Sequence, residues 1–292
     1  MKSSLFKNIC LLLVWASSMP MLAKSYMRND TQAILRIGLA GGATYLLTPS
    51  NNFAGSRWGG GGMLTYDCTY YKALDALEIG LKTGVDLGYL YTQNNMHFEN
   101  EFNNIDYLGN TIEYTTSGRM DIVRQQLHAT VPLMFAMRTQ GFIWNLGFRL
   151  QATVYANIAQ HLSEPMIQAH YPAYNVTIFN ELITGVVDDN QLHMSTEYLS
   201  PTIAFFASTE IGYEYQINRK NSIGAIAYMN VGFWDMLSKS ENGPIISVDP
   251  ISNSDNPVPN VKVHSVYSFV SEADIPLQFG VKIFYSFNLG KK

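Results

Sequence analysis

Apolar and polar residues alternate strictly along residues 141–158, which read GFIWNLGFRLQATVYANI. Every even position from Phe142 to Ile158 is apolar, whereas most odd positions after Ile143 are polar or small, with Arg149 near the centre. A period of two predicts an extended strand whose two faces meet different environments. Because strands of soluble domains average about 5–6 residues, this length favours a transmembrane β-strand. The even face is predicted to contact lipid and the odd face to line a polar lumen.

Seven further stretches show the same alternation. The eight predicted strands span residues 34–47, 57–71, 77–91, 122–138, 141–158, 202–217, 222–234 and 274–289. Short connections follow the second, fourth and sixth strands, and longer connections follow the others. Short periplasmic turns and long external loops are typical of outer-membrane barrels. The sequence therefore predicts an all-β fold, an eight-stranded antiparallel up-and-down transmembrane β-barrel with both chain ends in the periplasm.

The short connection between the fourth and fifth strands predicts how they pair. A turn at residues 139–140 would pair Arg138 with Gly141, and therefore Thr130 with Arg149. Both members of the second pair belong to the polar faces of their strands. The alternation of each strand, interpreted separately, thus agrees with the register that the turn implies.

Two of the long connections contain segments that we expect to be ordered. Within residues 92–121, the pair Gly109-Asn110 separates two short β-prone stretches, which predicts a hairpin extending above the membrane. Residues 169–184, AHYPAYNVTIFNELIT, are apolar enough to be ordered as well. We recognise no internal repeat and no second domain.

The first 23 residues have the composition of a secretory signal peptide. Lys2 and Lys7 precede an apolar segment at residues 9–16, followed by small residues. Cleavage after Ala23 would leave residues 24–292 as one exported barrel domain.

Composition supports the membrane interpretation over a soluble one. Hydrophobic residues make up 47% of the chain and charged residues only 14%, against about 25% charged residues in a typical soluble domain. No run is long and apolar enough for a transmembrane helix. A soluble lipocalin-like barrel would also alternate, but its exterior would carry more charge. The net charge of −4 without a basic patch argues against nucleic acid as a partner.

The sequence predicts no disulfide, no metal site and no cofactor. Once the signal peptide is removed, Cys68 remains as an unpaired cysteine, and no zinc-ligand spacing is present. The external connections are rich in Asp and Glu, which could bind divalent cations. We favour the simpler interpretation that these carboxylates are solvated loop charges.

The predicted inward face carries many charged groups. Eight strands enclose an interior that side chains just fill, and buried charges must be paired, so we expect a polar network that closes the lumen. Its predicted members are Arg36, Asp67, Glu78, Lys82, Asp86, Arg124, His128, Arg149, Glu210, Glu214 and Lys282.

Three functions are compatible with such a barrel. We favour a non-enzymatic outer-membrane protein with a role in surface interaction or envelope integrity. A narrow passive channel for small solutes, through the lumen or a lateral opening, is the alternative. A lipid-modifying hydrolase would require His128, Ser208 and Glu210 to converge, although their predicted strands are not neighbours. We therefore predict no catalytic residue.

Short motifs in two strands resemble a known group of proteins. Val131-Pro132-Leu133 and residues 275–282, IPLQFGVK, resemble the IPL-type strands of PorT-like small outer-membrane barrel proteins of Bacteroidota. Residues 283–287, IFYSF, are similar to their terminal strands, which commonly end near an aromatic residue recognised by the barrel-assembly machinery; here residues 288–292 follow. The resemblance implies the barrel fold and an outer-membrane location. Expected partners are outer-membrane lipid, lipopolysaccharide and the assembly machinery, with the external partner undefined.

Overall fold

The computed structural model describes nine segments of the chain, separated by gaps. They are residues 31–47, 57–74, 76–106, 108–179, 193–198, 203–233, 246–248, 261–263 and 275–289. The predicted signal peptide, residues 1–23, lies outside them. Twelve strands lie within them: β1 Thr31–Leu47, β2 Arg57–Leu74, β3 Leu77–Ile105, β4 Thr111–Thr139, β5 Phe142–Tyr171, β6 Val176–Phe179, β7 His193–Tyr198, β8 Ile203–Gln216, β9 Asn221–Gly232, β10 Ile246–Val248, β11 Val261–Val263 and β12 Ile275–Asn288. In these segments no helix has the length and apolar character needed to cross a membrane.

Eight antiparallel strands form a closed ring in the order β1, β2, β3, β4, β5, β8, β9 and β12. The last strand pairs with the first, from Ile34 opposite Asn288 to Leu47 opposite Ile275. Each of the eight strands thus has two hydrogen-bonded neighbours, and closure removes the open edges of the sheet. The predicted eight-stranded antiparallel up-and-down barrel is confirmed. The short connections lie together at one end, which we call the turn end.

The turn between β4 and β5 lies one residue later than predicted. Thr139 pairs with Phe142, so the turn consists of Gln140 and Gly141. Their φ angles are 48° and 87°, and positive φ at both central residues is typical of the type I′ turn that suits a two-residue hairpin. Glycine adopts this conformation without a steric penalty, which explains the position of Gly141.

This shift corrects the predicted register by two residues. Arg149 pairs with Pro132 rather than with Thr130, and Thr130 pairs with Gln151. A shift of two residues keeps every side chain on the same side of the sheet. The agreement between the two polar faces therefore survives, although the predicted partners were wrong.

Strand β5 does not keep its predicted faces over its whole length. A register irregularity in its pairing with β4 leaves Val154 as an extra residue, which forms a β-bulge. Before the bulge, Phe148 is 60% exposed on the outer face; after it, Ala156 and Ile158 are 2% and 0% exposed. The prediction that the even face contacts lipid as far as Ile158 was wrong, because one extra residue moves the following side chains to the opposite face.

The outer surface of the ring is apolar. Leu39, Leu81, Phe148 and Ile283 are among the most exposed large hydrophobic side chains. Aromatic rings flank this apolar belt near its two ends, for example the Tyr45–Trp58 pair, whose ring centroids are 4.9 Å apart. Such a belt with flanking aromatic residues is the surface expected of a strand barrel in a bilayer.

Strands β3, β4 and β5 continue far beyond the ring. They contain 29, 29 and 30 residues, whereas β8, β9 and β12 contain 14, 12 and 14. The predicted hairpin is present, and Ile105 pairs with Thr111 at its tip. We call residues 95–123 and 156–179 the extension. The predicted ordered segment 169–184 forms the end of β5, a turn and β6 up to Phe179, and its remainder lies outside the described residues.

In the extension the polarity of the two faces is reversed. Along β3, the inward side chains change from polar to apolar between Asn94 and Met96, and the outward side chains change from aromatic to polar between Tyr91 and Gln93. On β4, which runs in the opposite direction, the inward side chains change from apolar to polar between Ile122 and Arg124. The inward residues of the extension and the β10 strand form one buried cluster: Met96, Phe98, Ile112, Tyr114, Met120, Ile122, Ile158, Leu162, Ile167, Ala169, Ile246 and Val248. The extension therefore has an apolar core and a polar surface, like a water-soluble domain.

Candidate functional site in the barrel interior

Six charged side chains meet inside the ring and are almost completely buried. They are Asp67 from β2, Lys82 and Asp86 from β3, Arg149 from β5, Glu210 from β8 and Lys282 from β12. Alternate residues of each strand point inwards, which brings side chains from five strands to one place. Three are acidic and three are basic, so their formal charges cancel. We call these six residues the central network.

Within this network, Arg149 contacts the carboxylates of both Asp86 and Glu210. Arg149 Nη1 lies 2.9 Å from Asp86 Oδ2, and Arg149 Nη2 lies 2.5 Å from Glu210 Oε1. Asn145 Nδ2 also donates to Glu210, at 2.7 Å. Glu210 thus accepts hydrogen bonds at both of its carboxylate oxygens, the kind of charge-assisted arrangement that stabilises a buried carboxylate.

Two lysines complete the network around Asp67. Lys282 Nζ lies 3.0 Å and Lys82 Nζ 3.1 Å from the same oxygen, Asp67 Oδ2. Lys82 Nζ also lies 2.6 Å from Glu210 Oε2. Each cation of the central network therefore has at least one buried anion in contact, which is the condition for retaining charges in a low-dielectric interior.

A second group of charges lies towards the turn end. Arg36 Nη2 lies 2.9 Å from Glu214 Oε2, and Arg138 Nε pairs with Glu78. Ser222 donates to Glu214. Glu78 is only half-buried because it lies in the mouth of the barrel, where a cavity of about 480 Å³ opens between the turns.

The predicted members of the lumen network thus occupy three levels. Six form the central network, and Arg36, Glu78 and Glu214 form the group at the turn end. Arg124 and His128 lie on the other side of the central network, and neither takes part in an ion pair with any described residue. Arg138 was not among the predicted members. Its even position on β4, shared with Arg124 and His128, was the signal that could have identified it.

The hydrolase alternative requires three residues that the structure does not bring together. Ser208 donates to Asn230 Oδ1 at 2.7 Å, and Glu210 is engaged by Lys82 and Arg149. His128 lies on β4, separated from β8 by β5 in the ring. This arrangement provides no hydrogen-bonded Ser-His-Glu series, which nucleophilic catalysis would need.

Asp106, an acidic residue of the extension, stabilises a turn of the backbone. At the tip of the β3–β4 hairpin, Asp106 Oδ1 accepts hydrogen bonds from the backbone N–H groups of Leu108 and Asn110, both at 2.8 Å. Burial acts to raise the pKa of Asp106, but hydrogen bonds from Asn110, Leu108 and Gly109 outweigh it and hold the pKa below its usual value. Among the described residues, no three His, Cys, Asp or Glu side chains are grouped so as to hold a metal ion.

A closed ring with an apolar belt outside and paired charges inside has the fold of an outer-membrane β-barrel. No family model matches the chain, and no curated protein matches its sequence.

Similar solved structures are β-barrels of this kind. Neisserial surface protein A is 10% identical, with a TM-score of 0.23, over 86% of this chain and 96% of that one. The outer membrane protease OmpT of Escherichia coli is 6% identical, with a TM-score of 0.25, over 89% and 96%. The toluene transporter TodX of P. putida is 7% identical, with a TM-score of 0.16, over 90% and 91%. Sequence identities and TM-scores as low as these carry no argument, so the fold assignment rests on the strand pairing described above.

Proposed function

We propose that the chain is an integral outer-membrane protein whose barrel does not conduct solutes and whose extension presents an interaction surface outside the cell. The observation that carries this proposal is the reversal of polarity along β3 and β4, where outward side chains change from apolar to polar as inward ones change from polar to apolar. Such a reversal is expected where a strand leaves lipid and enters water.

The apolar belt supports the proposed membrane location. On β5, outward side chains from Phe142 to Leu150 are apolar without interruption, and a tilted transmembrane strand needs about 9–11 residues. A water-soluble barrel would expose this belt, which is far larger than the apolar patches of soluble monomers. Outer-membrane lipid and lipopolysaccharide are therefore the proposed neighbours of the belt.

The central network supports a structural rather than a conducting interior. Its side chains come from five strands and contact one another across the whole interior. A solute would have to separate buried ion pairs in a medium where each charge is costly to leave alone. We therefore propose that the network holds the barrel together and closes it.

The extension supports the proposed interaction role. Its strands surround a core of their own, and Asn104 Nδ2 donates to Val248 O at 2.7 Å, which ties the extension to β10. A rigid, polar sheet outside the membrane suits recognition of a partner or support of the envelope better than catalysis, given the separated positions of His128 and Ser208 in the ring. We also propose, from the strand motifs quoted above, that the chain is related to the PorT-like outer-membrane proteins of Bacteroidota.

Labelling of introduced cysteines tests the orientation. The variant Glu101→Cys, on the exposed face of the extension, is expected to react with a membrane-impermeant maleimide in intact cells. Arg219→Cys, in the turn between β8 and β9, is expected to react only after the outer membrane is permeabilised. Native Cys68 is a buried free thiol, so the unsubstituted chain provides a low background. The reverse labelling order would contradict the proposed orientation.

Planar bilayer recording tests the closed interior. The purified protein, shown to be folded by its heat-modifiable migration, is expected to give no stepwise conductance above the lipid background, because the central network fills the lumen. Regular conductance steps from folded protein would contradict a closed barrel and favour the channel alternative.

A further inference from the structure

Arg124 is a buried cation with no anion beside it among the described residues. Its side chain is 4% exposed and points into the ring between the central network and the apolar core of the extension. On either side it is paired in the sheet with Thr92 and Ile158, neither of which is acidic. It forms no ion pair with any described residue, and its Nε and Nη2 atoms have no hydrogen-bond partner there. Buried polar groups are normally satisfied, so this exception needs an explanation.

The unpartnered atoms of Arg124 form one edge of the guanidinium group. Nε–H and the adjacent Nη2–H point in nearly parallel directions, which is the fork that binds a carboxylate or another compact anion through two hydrogen bonds. An arginine cannot lose its charge by deprotonation in a protein. The Arg124 side chain therefore stays charged, and an uncompensated charge is costly in a buried position.

Other polar atoms without partners lie within four strand positions of Arg124 or of its sheet partner Thr92, on the inner faces of β3 and β4. These atoms are Thr92 Oγ1, Asn94 Oδ1, Gln126 Oε1 and His128 Nδ1. We call Arg124 and these four residues the polar layer. The Thr92 hydroxyl, the Asn94 amide nitrogen and one nitrogen of the His128 ring can donate hydrogen bonds, whereas the two amide oxygens only accept them. None of the five residues is acidic.

The balance of charge distinguishes the polar layer from the rest of the interior. The central network has three acids and three bases, and the group at the turn end has Glu78 and Glu214 against Arg36 and Arg138. Among the described residues of the interior, Arg124 is the excess charge.

We propose that the polar layer binds a small monovalent anion of halide or carboxylate chemistry, held by the Nε/Nη2 edge of Arg124. The anion supplies the missing negative charge, and the neighbouring hydroxyl and amide groups complete its coordination together with water. The site closes the interior on the side of the extension, as the central network does at its middle.

Anion-dependent unfolding tests this proposal, with bromide as the probe. The folded protein in detergent is unfolded by urea in sodium bromide and, at equal ionic strength, in sodium methanesulfonate, whose anion is larger. Bromide is expected to raise the unfolding midpoint in a saturable manner. At ten times its dissociation constant, a ligand that binds only the native state raises the folding equilibrium constant about 11-fold.

Matched variants assign the effect to a residue. Arg124→Gln is expected to abolish the difference between bromide and methanesulfonate. Arg119→Gln changes an exposed arginine of the same strand and is expected to retain the difference. Equal midpoints of the unsubstituted protein in the two salts would overturn the proposal and mean that the charge is neutralised within the chain.

Anomalous diffraction from bromide-soaked crystals of the unsubstituted protein keeps the test valid if Arg124→Gln fails to fold. A peak within hydrogen-bond distance of Arg124 Nε is expected. Peaks confined to the protein surface, an adventitious ion only, would overturn the proposal.

Discussion

Replacing Glu210 with glutamine is expected to lower the free energy of unfolding by about 3–5 kcal/mol, because it leaves buried cations without their anion. Glu210 Oε1 lies 2.5 Å from Arg149 Nη2, and Glu210 Oε2 lies 2.6 Å from Lys82 Nζ. Glutamine has nearly the same shape, so the change removes charge without opening a cavity. Urea unfolding of the protein in lipid vesicles, followed by tryptophan fluorescence, measures the loss.

Two further variants separate charge loss from a general effect of mutation. Glu99→Gln, on the exposed face of the extension, is expected to change stability by no more than about 0.5 kcal/mol. Arg149→Met combined with Glu210→Gln removes one charge of each sign, so the double variant is expected to be more stable than the two single effects predict. Additive effects, or a Glu210→Gln loss as small as that of Glu99→Gln, would contradict a coupled network.

Replacing Phe148 with arginine is expected to destabilise the folded barrel in lipid by about 2–4 kcal/mol, the cost of a basic side chain facing lipid near the middle of a bilayer. Phe148 lies on the outer face of β5 and pairs with Leu133 of β4 and Ala207 of β8, well inside the ring. The fraction of protein that migrates in the heat-modifiable folded form after refolding into vesicles measures the effect.

Phe179→Arg is the matched control for this prediction. Phe179 is also an exposed phenylalanine, but it lies in β6 of the extension, where water is the proposed surrounding. Its replacement is expected to leave the folded fraction unchanged. Normal refolding of Phe148→Arg together with failure of Phe179→Arg would place lipid around the extension instead of the ring.

The ring was predictable because a membrane barrel repeats one pattern. Alternation with a period of two marked all eight strands, and it alone places Arg149 and Glu210 on the inward faces of their strands. Predictions from alternation failed where a turn was shifted by one residue and where a strand contained one extra residue. The turn at Gln140-Gly141 and the bulge at Val154 each depend on local backbone geometry, to which the alternation of side chains gives little access.

The extension was harder to anticipate because its alternation is inverted. Phe98 and Ile122 are apolar residues that face inwards, whereas a search for lipid-facing strands expects apolar residues outside. The contacts of the central network were also inaccessible, since Lys82 and Glu210 lie on strands that are not neighbours. Only closure of the ring brings their side chains together across the interior.

Pairing between the first and last strands of the ring has a consequence for biogenesis. Ile34 meets Asn288, so the ring cannot close until β12, its last strand, is available to pair with β1. The β10–β11 hairpin, which covers the apolar core of the extension, precedes β12 in the chain and is also made late. Until then, both the apolar belt and the inner face of the extension are open to water. An unclosed sheet therefore exposes apolar surface together with unpaired strand edges, and a truncation before β12 is expected to yield an aggregation-prone open sheet.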